Sequence, residues 1–581
     1  MKNKIIMFFA LLVMLVILIV LGQFVAAFAL MKHLEIPVLI TEIKPNTMYS
    51  YFDAYKNHEQ AGNVVKLFFA GSFAPAIVTA LITIIAIFVK ESPLADLHGN
   101  ASFATLKDLK DADMAFSFSD KKQSNKKWPA VLLGQFDDKT YVSDFSQEYT
   151  ALAAPPGAGK GVSFVIPNLL NYPESILNFD PKAENFMITA GYREKVLGQK
   201  VFRFSPDDKP QNLDNETTKS NTESHCWNPL DYINHDPNEV LADIKKITTL
   251  LIPAPDGENQ SFYQGAQKAL NGIILYLIES EEEEKTIYRA WEINNHPAGI
   301  EKWITSTVAK KGDKLSSICK NLLMAYANES EKKRDTTKSI IDTNLDVFTD
   351  AKTRAATSRS DFDFNDLRRK KISIFVCIAP TNIPRYQTML NLFFSQALSV
   401  NTETLPESDP SLKYQCLALL DEFVALGKIE LIRSSAGYTR AYNMRYAIIF
   451  QNMSQVSSVY TKEGAQSLLE TFHNFITFAV PSPEEAAAVS AKLGDTTIRV
   501  RDKSITRQSG SGSSTLKWET HKRPLMLPQE IQYLPYEEEI VFKGGGRIKP
   551  IHCKKIVWYK DKNFKDKANM ELPKIPALEY V

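Results

Sequence analysis

Glycines, prolines and one lysine lie close together in residues 149–168, YTALAAPPGAGKGVSFVIPN. Tyr149 to Ala154 is apolar and β-prone, which predicts a buried strand, and the prolines and glycines after it predict a sharp turn. An apolar pattern compatible with a helix follows the lysine. In this order, glycine N–H groups, the helix N-terminus and the lysine ammonium can all face one anion. The predicted phosphate-binding residues are Pro156, Gly157, Ala158, Gly159, Lys160, Gly161 and Val162.

This loop departs at two positions from the common phosphate-loop pattern G-x-x-x-x-G-K-[ST]. Ala154 stands where the first glycine belongs, and Gly161 stands where the Mg²⁺-binding hydroxyl belongs. Ser163 is the nearest hydroxyl, but two residues along a helix is roughly 200° around its axis, so Ser163 is expected to face away. A metal at this loop would therefore need water or a carboxylate from elsewhere. An ordinary glycine-rich turn before a helix is the alternative interpretation of the stretch alone.

Two carboxylates end a second apolar strand pattern, at Cys416 to Leu420. In a phosphate-loop ATPase, Asp421 would orient Mg²⁺ through its water shell, and Glu422 would polarise the water that attacks the γ-phosphate of ATP. Parallel strands present such side chains at the sheet edge where the loop lies. The alternative, a solvated acidic turn, is disfavoured by the phosphate loop earlier in the chain.

An amide ends a third apolar strand pattern, at Tyr446 to Phe450. Gln451 can hydrogen-bond a γ-phosphate or the attacking water, and so distinguish ATP from ADP. An arginine presented across a subunit interface can stabilise charge in the transition state. The arginines between Glu422 and Gln451, each of which is also interpretable as a surface residue, are Arg433, Arg440 and Arg445.

Asp180 and Lys182 follow another apolar strand pattern, at residues 175–179. If this strand adjoins the loop, the two side chains can support the site electrostatically. A plain surface turn is the alternative, so the two residues are predicted only as supporting groups.

Length, charge and cysteines limit the possible classes of protein. A chain of 581 residues with 44% hydrophobic content is long enough for roughly two to four domains. The net charge of +1 gives no overall signal for nucleic acid, so DNA contact would need a local basic surface. The five cysteines form no CxxC or CxxH pair, which argues against zinc and disulfide scaffolds and favours a reducing compartment.

Two uncharged apolar runs near the N-terminus, Ile5–Leu30 and Leu67–Val89, are long enough to span a membrane as helices. Lys2 and Lys4 favour a cytoplasmic N-terminus, and two spans return the chain to the cytoplasm, where ATP is available. A cleaved signal peptide is the alternative for the first run, but that run is much longer than a typical signal core.

The rest of the chain alternates strand patterns with helical ones, except that three- and four-residue apolar spacing dominates from about Glu239 to Thr349. Strands separated by helices predict an α/β fold around a parallel sheet, and the helical stretch predicts an insertion. Ser509–Ser514, SGSGSS, predicts a flexible linker. The predicted segments are transmembrane helix 1 at 1–31, a periplasmic loop at 32–66, transmembrane helix 2 at 67–90, the first part of a nucleotide-binding domain at 91–238, an all-α insertion at 239–349, and the second part with a C-terminal segment at 350–581.

With these motifs in order, the chain resembles the coupling proteins of type IV secretion systems of the TraG/VirD type, a branch of the RecA-like, FtsK-related motor ATPases. The resemblance covers nearly the whole chain. Gly161 after the lysine is a variant found in that family. The segments that carry the resemblance are HGNASFATLKDL, APPGAGKGVSFVIPNLL, NFDPKAEN, WNPLDYI, ALLDEF, YAIIFQ and RPLMLP.

The resemblance implies a RecA-like nucleotide-binding domain with a helical insertion, assembled as a homo-hexamer beneath the bacterial inner membrane. It implies an ATPase that uses ATP and Mg²⁺ to deliver a relaxase–DNA complex or effector proteins to a secretion channel. By position, the resemblance assigns the phosphate lysine to Lys160, the second-motif acids to Asp421 and Glu422, the sensing glutamine to Gln451, and the trans-acting arginine to Arg440.

Two other functions remain open from the residues. One is an FtsK-like DNA translocase, which would be expected to have more membrane spans and a DNA-reading tail. The other is a membrane receptor or scaffold that binds nucleotide without turnover, which the substitutions at Ala154 and Gly161 motivate. Within the leading interpretation, the insertion would select cargo, and the basic stretch Arg368 to Lys371 would face DNA in a central pore.

Overall fold

A computed structural model describes residues 2–37, 40–88, 97–120, 126–208, 222–255, 257–435, 437–508 and 511–580. The chain forms two compact units. One comprises Met1–Leu97 and Arg499–Thr520, and the other comprises His98–Ile498 and His521–Val581. All the predicted site residues lie in the second unit.

The strands of the described residues form a large sheet and a separate hairpin. The strands are β1 Ala115–Phe116, β2 Val131–Gln135, β3 Tyr141–Asp144, β4 Thr150–Ala153, β5 Ser175–Phe179, β6 Lys200–Phe204, β7 Ile372–Val376, β8 Cys416–Leu420, β9 Met444–Phe450, β10 Asn474–Thr477, β11 Asp495–Gln508, β12 Ser511–Pro524, β13 Glu538–Lys543 and β14 Ile551–Lys554. The large sheet has the order β1-β3-β2-β14-β13-β10-β4-β9-β8-β5-β7-β6, and β11 pairs with β12. Neighbours from β10 to β6 are parallel, whereas those from β10 to β1 are antiparallel.

The helices cover most of the remaining chain. They are α1 Lys2–His33, α2 Thr47–Tyr55, α3 Gly62–Gly71, α4 Ala74–Phe88, α5 Leu106–Asp111, α6 Ile166–Asn171, α7 Glu184–Lys195, α8 Val240–Leu251, α9 Gln260–Glu279, α10 Ile287–Asn294, α11 Ile300–Lys311, α12 Ser317–Ala327, α13 Glu331–Leu345, α14 Ala351–Ala356, α15 Ile383–Val400, α16 Glu430–Ser435, α17 Met453–Tyr460, α18 Lys462–Glu470, α19 Pro483–Leu493 and α20 Pro528–Gln532. A π-helical turn, Gly161–Val165, leads directly into α6.

The central parallel strands are buried along their whole length, as their predominantly apolar sequences predict. Alternate residues of one strand enter different cores, because strand side chains alternate between faces. In β8, Ala418 and Leu420 belong to the core on one face, and Leu417 and Leu419 belong to the core on the other. The predicted α/β fold with a parallel sheet is therefore confirmed.

Helices α8 to α13 lie between β6 and β7 in the chain, within the stretch where the sequence predicts a helical insertion. Their buried residues Ile244, Ile273 and Leu323 belong to one continuous apolar core with the strand residues Val376 and Leu420. These helices are therefore joined to the sheet by a shared apolar core.

The smaller unit contains the two apolar segments near the N-terminus. Leu12–His33 and Gly62–Thr83 are long and apolar enough to cross a membrane, on length and composition. A side chain on Gly22 would come within 2.0 Å of the Ser72 carbonyl oxygen, so the two segments touch through their backbones. Gln23 adds a buried hydrogen bond, from Nε2 to Ser72 Oγ at 2.7 Å. Small residues and buried polar bonds are typical of helix contacts in membranes.

The prediction of a flexible linker at Ser509–Ser514 was wrong for residues 511–514, which begin β12. Residues 509 and 510 lie outside the described residues. Serine and glycine have low strand propensity, but pairing with β11 overrides it here.

Candidate active site

The predicted phosphate loop lies at the carboxyl end of β4, between that strand and the π-helical turn. Gly157 and Gly159 have φ values of 75° and 85°, in the left-handed region that glycine adopts without strain. A β-carbon on Gly157 or Gly161 would meet nothing within 4 Å, so one side of the loop is open. This geometry leaves room for an anion beside the loop backbone.

The structure brings the loop lysine together with the predicted carboxylates and amide. Strand β9 lies between β4 and β8, and all three run parallel, so their carboxyl ends share one edge. Lys160 Nζ bonds the Glu422 carboxylate and lies 3.4 Å from Asp421 Oδ1. Gln451 Nε2 donates to Glu422 Oε2 at 3.3 Å. Four side chains from three strand ends thus form one cluster.

Glu422 is held in an unusual backbone conformation, with φ 59° and ψ 49°. This left-handed region costs an L-residue roughly 1–2 kcal/mol, and such residues concentrate at functional sites. The turn after β5 contains another example, Ala183 at φ 57°. The strand ends around the loop are therefore shaped by local strain as well as by pairing.

The carboxyl of Asp421 is buried between the charges of Lys160 and Glu422. Burial raises the pKa of this carboxyl, the nearby Lys160 ammonium lowers it, and the negative charge of Glu422 raises it. Its Oδ1 atom is buried and faces the Lys160 ammonium at 3.4 Å, but it accepts no hydrogen bond from the described residues. A buried carboxylate oxygen that accepts no hydrogen bond suits an incoming cation, because the native fold leaves few such atoms unsatisfied.

The donor set at this edge fits a magnesium ion shared with a nucleotide. In the part of the chain that the structure describes, no three acidic, histidine or cysteine side chains form a metal cage. Ser163 Oγ donates to the Gly159 carbonyl at 2.9 Å, so this hydroxyl is engaged by the loop backbone. Asp421 can then supply a carboxylate oxygen to the metal. Mg²⁺ commonly takes one or two carboxylates together with phosphate and water.

Asp180 lies beside this cluster, whereas Lys182 does not join it. Phe179 pairs with Leu420, so Asp180 and Asp421 leave neighbouring strands side by side. Burial, opposed by hydrogen bonds from the backbone and reinforced by the charge of Asp421, raises the pKa of Asp180 to about 7. Lys182 is exposed in the following turn.

Arg440 lies at the opposite edge of the sheet. Its Nη2 atom donates to the Thr471 carbonyl at 2.8 Å and lies 2.6 Å from His473 Nδ1. The guanidinium also covers the Tyr149 ring at 5.2 Å. Tyr149 directly precedes β4, so Arg440 is at the amino ends of the strands and is separated from Lys160 of its own chain by the length of β4.

Two interpretations of other arginines were wrong. Arg445 is fully buried, and its guanidinium pairs with Asp144 Oδ2 at 3.1 Å, so it is neither a surface residue nor free to cross an interface. Arg368 was predicted to face DNA, but it is 2% exposed and donates to the Thr404 and Tyr442 carbonyls at 2.9 and 3.0 Å. A basic run in the sequence does not reveal that backbone carbonyls will surround one of its members.

The sequence analysis missed two residues of the C-terminal segment that touch the loop. Lys555 Nζ donates to the Ala158 carbonyl at 3.0 Å. A β-carbon on Gly159 would lie 2.6 Å from Tyr536 Oη. These residues are almost 400 positions beyond the loop, and a single lysine after a short strand carries no spacing signal, so only the sheet pairing reveals them.

Comparisons with known proteins show the family to which this chain belongs. A family model described as "Type IV secretory system Conjugative DNA transfer" matches residues 104–577. The chain belongs to this family. Protein VirD4 of Rhizobium rhizogenes is 26% identical over 526 residues, which cover 90% of this chain and 74% of the relative. Conjugal transfer protein TraG of Escherichia coli is 26% identical over 525 residues, covering 82% and 79%.

A solved structure supports the fold of this family member. The bacterial conjugative coupling protein TrwBdeltaN70 has a TM-score of 0.51 and 13% sequence identity, and the match covers 77% of this chain and 90% of that one. At this identity the likeness concerns the fold alone. The sequence-based assignment to the TraG/VirD type of coupling protein is confirmed by the family match and by the relatives.

Proposed function

We propose that this protein is an ATPase that couples ATP hydrolysis to substrate delivery in a type IV secretion or conjugation system. The observation that carries the proposal is the convergence of Lys160, Asp421, Glu422 and Gln451 at one sheet edge. A positive group for phosphate, a ligand for metal, a base for water and an amide sensor are the parts that phosphoryl transfer needs.

The loop and the cluster together account for nucleotide binding. ATP phosphates would face the loop N–H groups and would compete with Glu422 for the Lys160 ammonium, which frees that carboxylate. Asp421 and water molecules would hold Mg²⁺, which would neutralise charge on the phosphate oxygens. The side chains that bond each other in the cluster thereby become the ones that bind substrate.

Hydrolysis then depends on Glu422 and Gln451. Glu422 would orient and polarise the attacking water once Lys160 engages the phosphates. Gln451 touches the same carboxylate at 3.3 Å, so it can link the position of this base to the presence of a γ-phosphate. Gln455 Nε2 in turn donates to Gln451 Oε1 at 3.3 Å, which connects α17 to the sensor.

Arg440 would act in a neighbouring subunit of a homo-hexamer. It lies at the amino edge of the sheet, away from the cluster of its own chain. An arginine in that place serves catalysis only if assembly brings it to the next subunit's nucleotide. This arrangement would make hydrolysis depend on assembly.

We also propose that the ATPase is anchored in a bacterial inner membrane, with a large cytoplasmic part. Two segments of membrane-spanning length, Leu12–His33 and Gly62–Thr83, would anchor it there. We propose a relaxase–DNA complex, protein effectors or both as cargo, and components of the secretion channel as partners. The printed names of the relatives, a VirD4 protein and a conjugal transfer protein TraG, support this assignment.

ATP turnover by the full-length protein in nanodiscs, with and without single-stranded DNA, tests the proposal. We expect turnover that Lys160→Ala abolishes through weak nucleotide binding, while Lys182→Ala, which changes an exposed lysine near the site, keeps it. A hexameric protein that binds ATP and never hydrolyses it would support a receptor or scaffold instead. Movement along double-stranded DNA without any secretion partner would favour an FtsK-like translocase.

A further inference from the structure

The C-terminal segment places a second lysine against the phosphate loop. Lys555 directly follows β14, and its backbone N–H donates to the Glu537 carbonyl at 2.8 Å. Its side chain lies over the Phe478 ring, with Nζ 3.7 Å from the centroid, and Nζ donates to the Ala158 carbonyl at 3.0 Å. With 5% of its surface exposed, Lys555 is held in place from several sides.

We propose that Lys555 is a positioning residue, which orients the Ala158–Gly159 peptide so that its N–H faces the phosphates. In a trans peptide the C=O and the N–H point in opposite directions. Fixing the Ala158 oxygen toward Lys555 therefore turns the Gly159 N–H toward the other side of the loop. The ammonium also polarises this peptide, which strengthens the N–H as a donor. The inference rests on the proposed nucleotide binding and extends it to the C-terminal segment.

Among the ion pairs of the described residues, none includes Lys555. Glu539 is the buried acid nearby: burial raises the pKa of its carboxyl well above the ordinary value, and the charge of Lys555 opposes that rise. Burial lowers the pKa of Lys555 to about 8, which leaves the amine mostly protonated near neutral pH. A buried ammonium that forms no ion pair is costly, and a nucleotide phosphate would offset that cost.

Tyr536 supports the same connection. Its ring lies 4.7 Å from Lys555 Nζ, and its hydroxyl occupies the space that a β-carbon on Gly159 would need. Tyr536 and Lys555 flank β13 and β14, which pair with each other as a hairpin. The hairpin thus contacts two consecutive loop residues, and a shift of the hairpin would change the loop.

The test compares Lys555→Met with Lys554→Met in the full-length protein, since Lys554 is the exposed last residue of β14 and directly precedes Lys555. Binding of a fluorescent ADP analogue should weaken about tenfold in Lys555→Met, the size of one charge-assisted hydrogen bond. Lys554→Met should bind within about twofold of the wild type. The loss in Lys555→Met should appear in the KM for ATP more than in kcat, because the reacting groups are intact. Turnover by Lys554→Met should match the wild type.

Lys555→Gln separates positioning from general stability, because its amide can still donate to the Ala158 carbonyl. We expect it to recover part of the lost affinity, with thermal midpoints of the three variants close together. Equal ADP affinity for wild type and Lys555→Met would overturn the inference. So would equal losses in Lys555→Met and Lys555→Gln accompanied by a matching fall in thermal midpoint. If the wild-type protein itself binds no nucleotide, the proposed function fails rather than this inference alone.

Discussion

Charged side chains are bonded differently at the two ends of the parallel strands, the carboxyl edge and the amino edge of the sheet. At the carboxyl edge, Lys160 is 17% exposed, and the buried Asp421 Oδ1 lies 3.4 Å from the Lys160 ammonium but accepts no hydrogen bond from the described residues. At the amino edge, Arg193, Arg368 and Arg445 are all buried, and each donates to at least two backbone carbonyls. Charges at the amino edge hold strands and turns together, whereas those at the carboxyl edge remain available to a ligand.

Arg193 shows how fully the hydrogen-bond donors of a charged side chain are used at the amino edge. Its guanidinium donates to the Ser373 hydroxyl, to the Gln199 side chain and to three backbone carbonyls. Burial lowers the pKa of Arg193 to about 9, which still leaves it charged at neutral pH. A charge with all its donors used can bind nothing further, so full satisfaction marks a structural role.

Replacing a buried arginine at the amino edge should have the greatest effect on stability. Arg445→Met should reduce the free energy of unfolding by about 3–5 kcal/mol, because it leaves the buried Asp144 with fewer partners. Urea unfolding measures this, and the matched control is Arg433→Met, whose pairing with Glu430 is partly exposed. That control should lose less than about 1 kcal/mol. Similar small losses in both variants would remove the distinction between the edges.

Arg440→Ala tests whether every arginine at the amino edge is structural, because Arg440 is the one for which we propose a catalytic role in the next subunit. We expect ATP turnover of the assembled protein to fall at least about 100-fold, with nucleotide affinity nearly unchanged. Mixed assembly with Lys160→Ala subunits should restore turnover, because each variant supplies what the other lacks. Full activity of Arg440→Ala would show that Arg440 has only a structural role, through its contacts with Thr471 and the Tyr149 ring.

A smaller effect is expected at the carboxyl edge from Gln451→Ala. Turnover should fall about tenfold or more, since Glu422 loses a bond that positions it. ADP affinity should change little, whereas the preference for an ATP analogue over ADP should shrink. Equilibrium binding of both nucleotides measures this preference, and Gln466→Ala on exposed α18 is a matched control. An unchanged preference would contradict the sensing role.

The two edges should also respond oppositely to pH. Burial raises the pKa of Asp144, but Arg445 and Lys543 outweigh it and hold the pKa below the ordinary value. This stabilisation is present above about pH 4 and is lost as the pH falls further. Asp180, with its pKa raised to about 7, instead destabilises the fold progressively as the pH rises from about 4 to 7.

Urea unfolding of Asp144→Asn and Asp180→Asn across pH 3–8 separates these two contributions. The first variant should lose part of the acid-induced drop in stability that the wild type shows. The second should gain stability relative to the wild type near pH 8. Parallel pH profiles for the two variants would contradict the assigned environments.

Much of the sheet was predictable from the sequence, for a physical reason. Strands buried on both faces need mostly apolar sequences, and such sequences mark β5, β8 and β9. Polar residues directly after them, Asp421 and Gln451, fall at one edge because parallel strands share their direction. The strand order, with β9 between the loop strand and β8, depends on distant pairing that no local pattern encodes.

The contacts of single charged residues were less predictable. Arg368 lies in the basic run Arg368–Lys371 and yet is buried, because the neighbouring turns direct carbonyls toward it. Lys555 reaches the loop only because β13 and β14 join the sheet beside β10. Residue type defines what a side chain can bond, but tertiary pairing decides which partner it meets.

The measurement that tests the account most directly is the effect of Glu422→Gln on binding and turnover in the same preparation. The amide keeps the shape of the side chain but cannot act as a base, so turnover should fall at least about 100-fold. ATP affinity should stay within about threefold of the wild type, and Glu430→Gln, a change outside the cluster, should alter neither. Wild-type turnover by Glu422→Gln would contradict the assignment of the carboxyl edge as the site of hydrolysis.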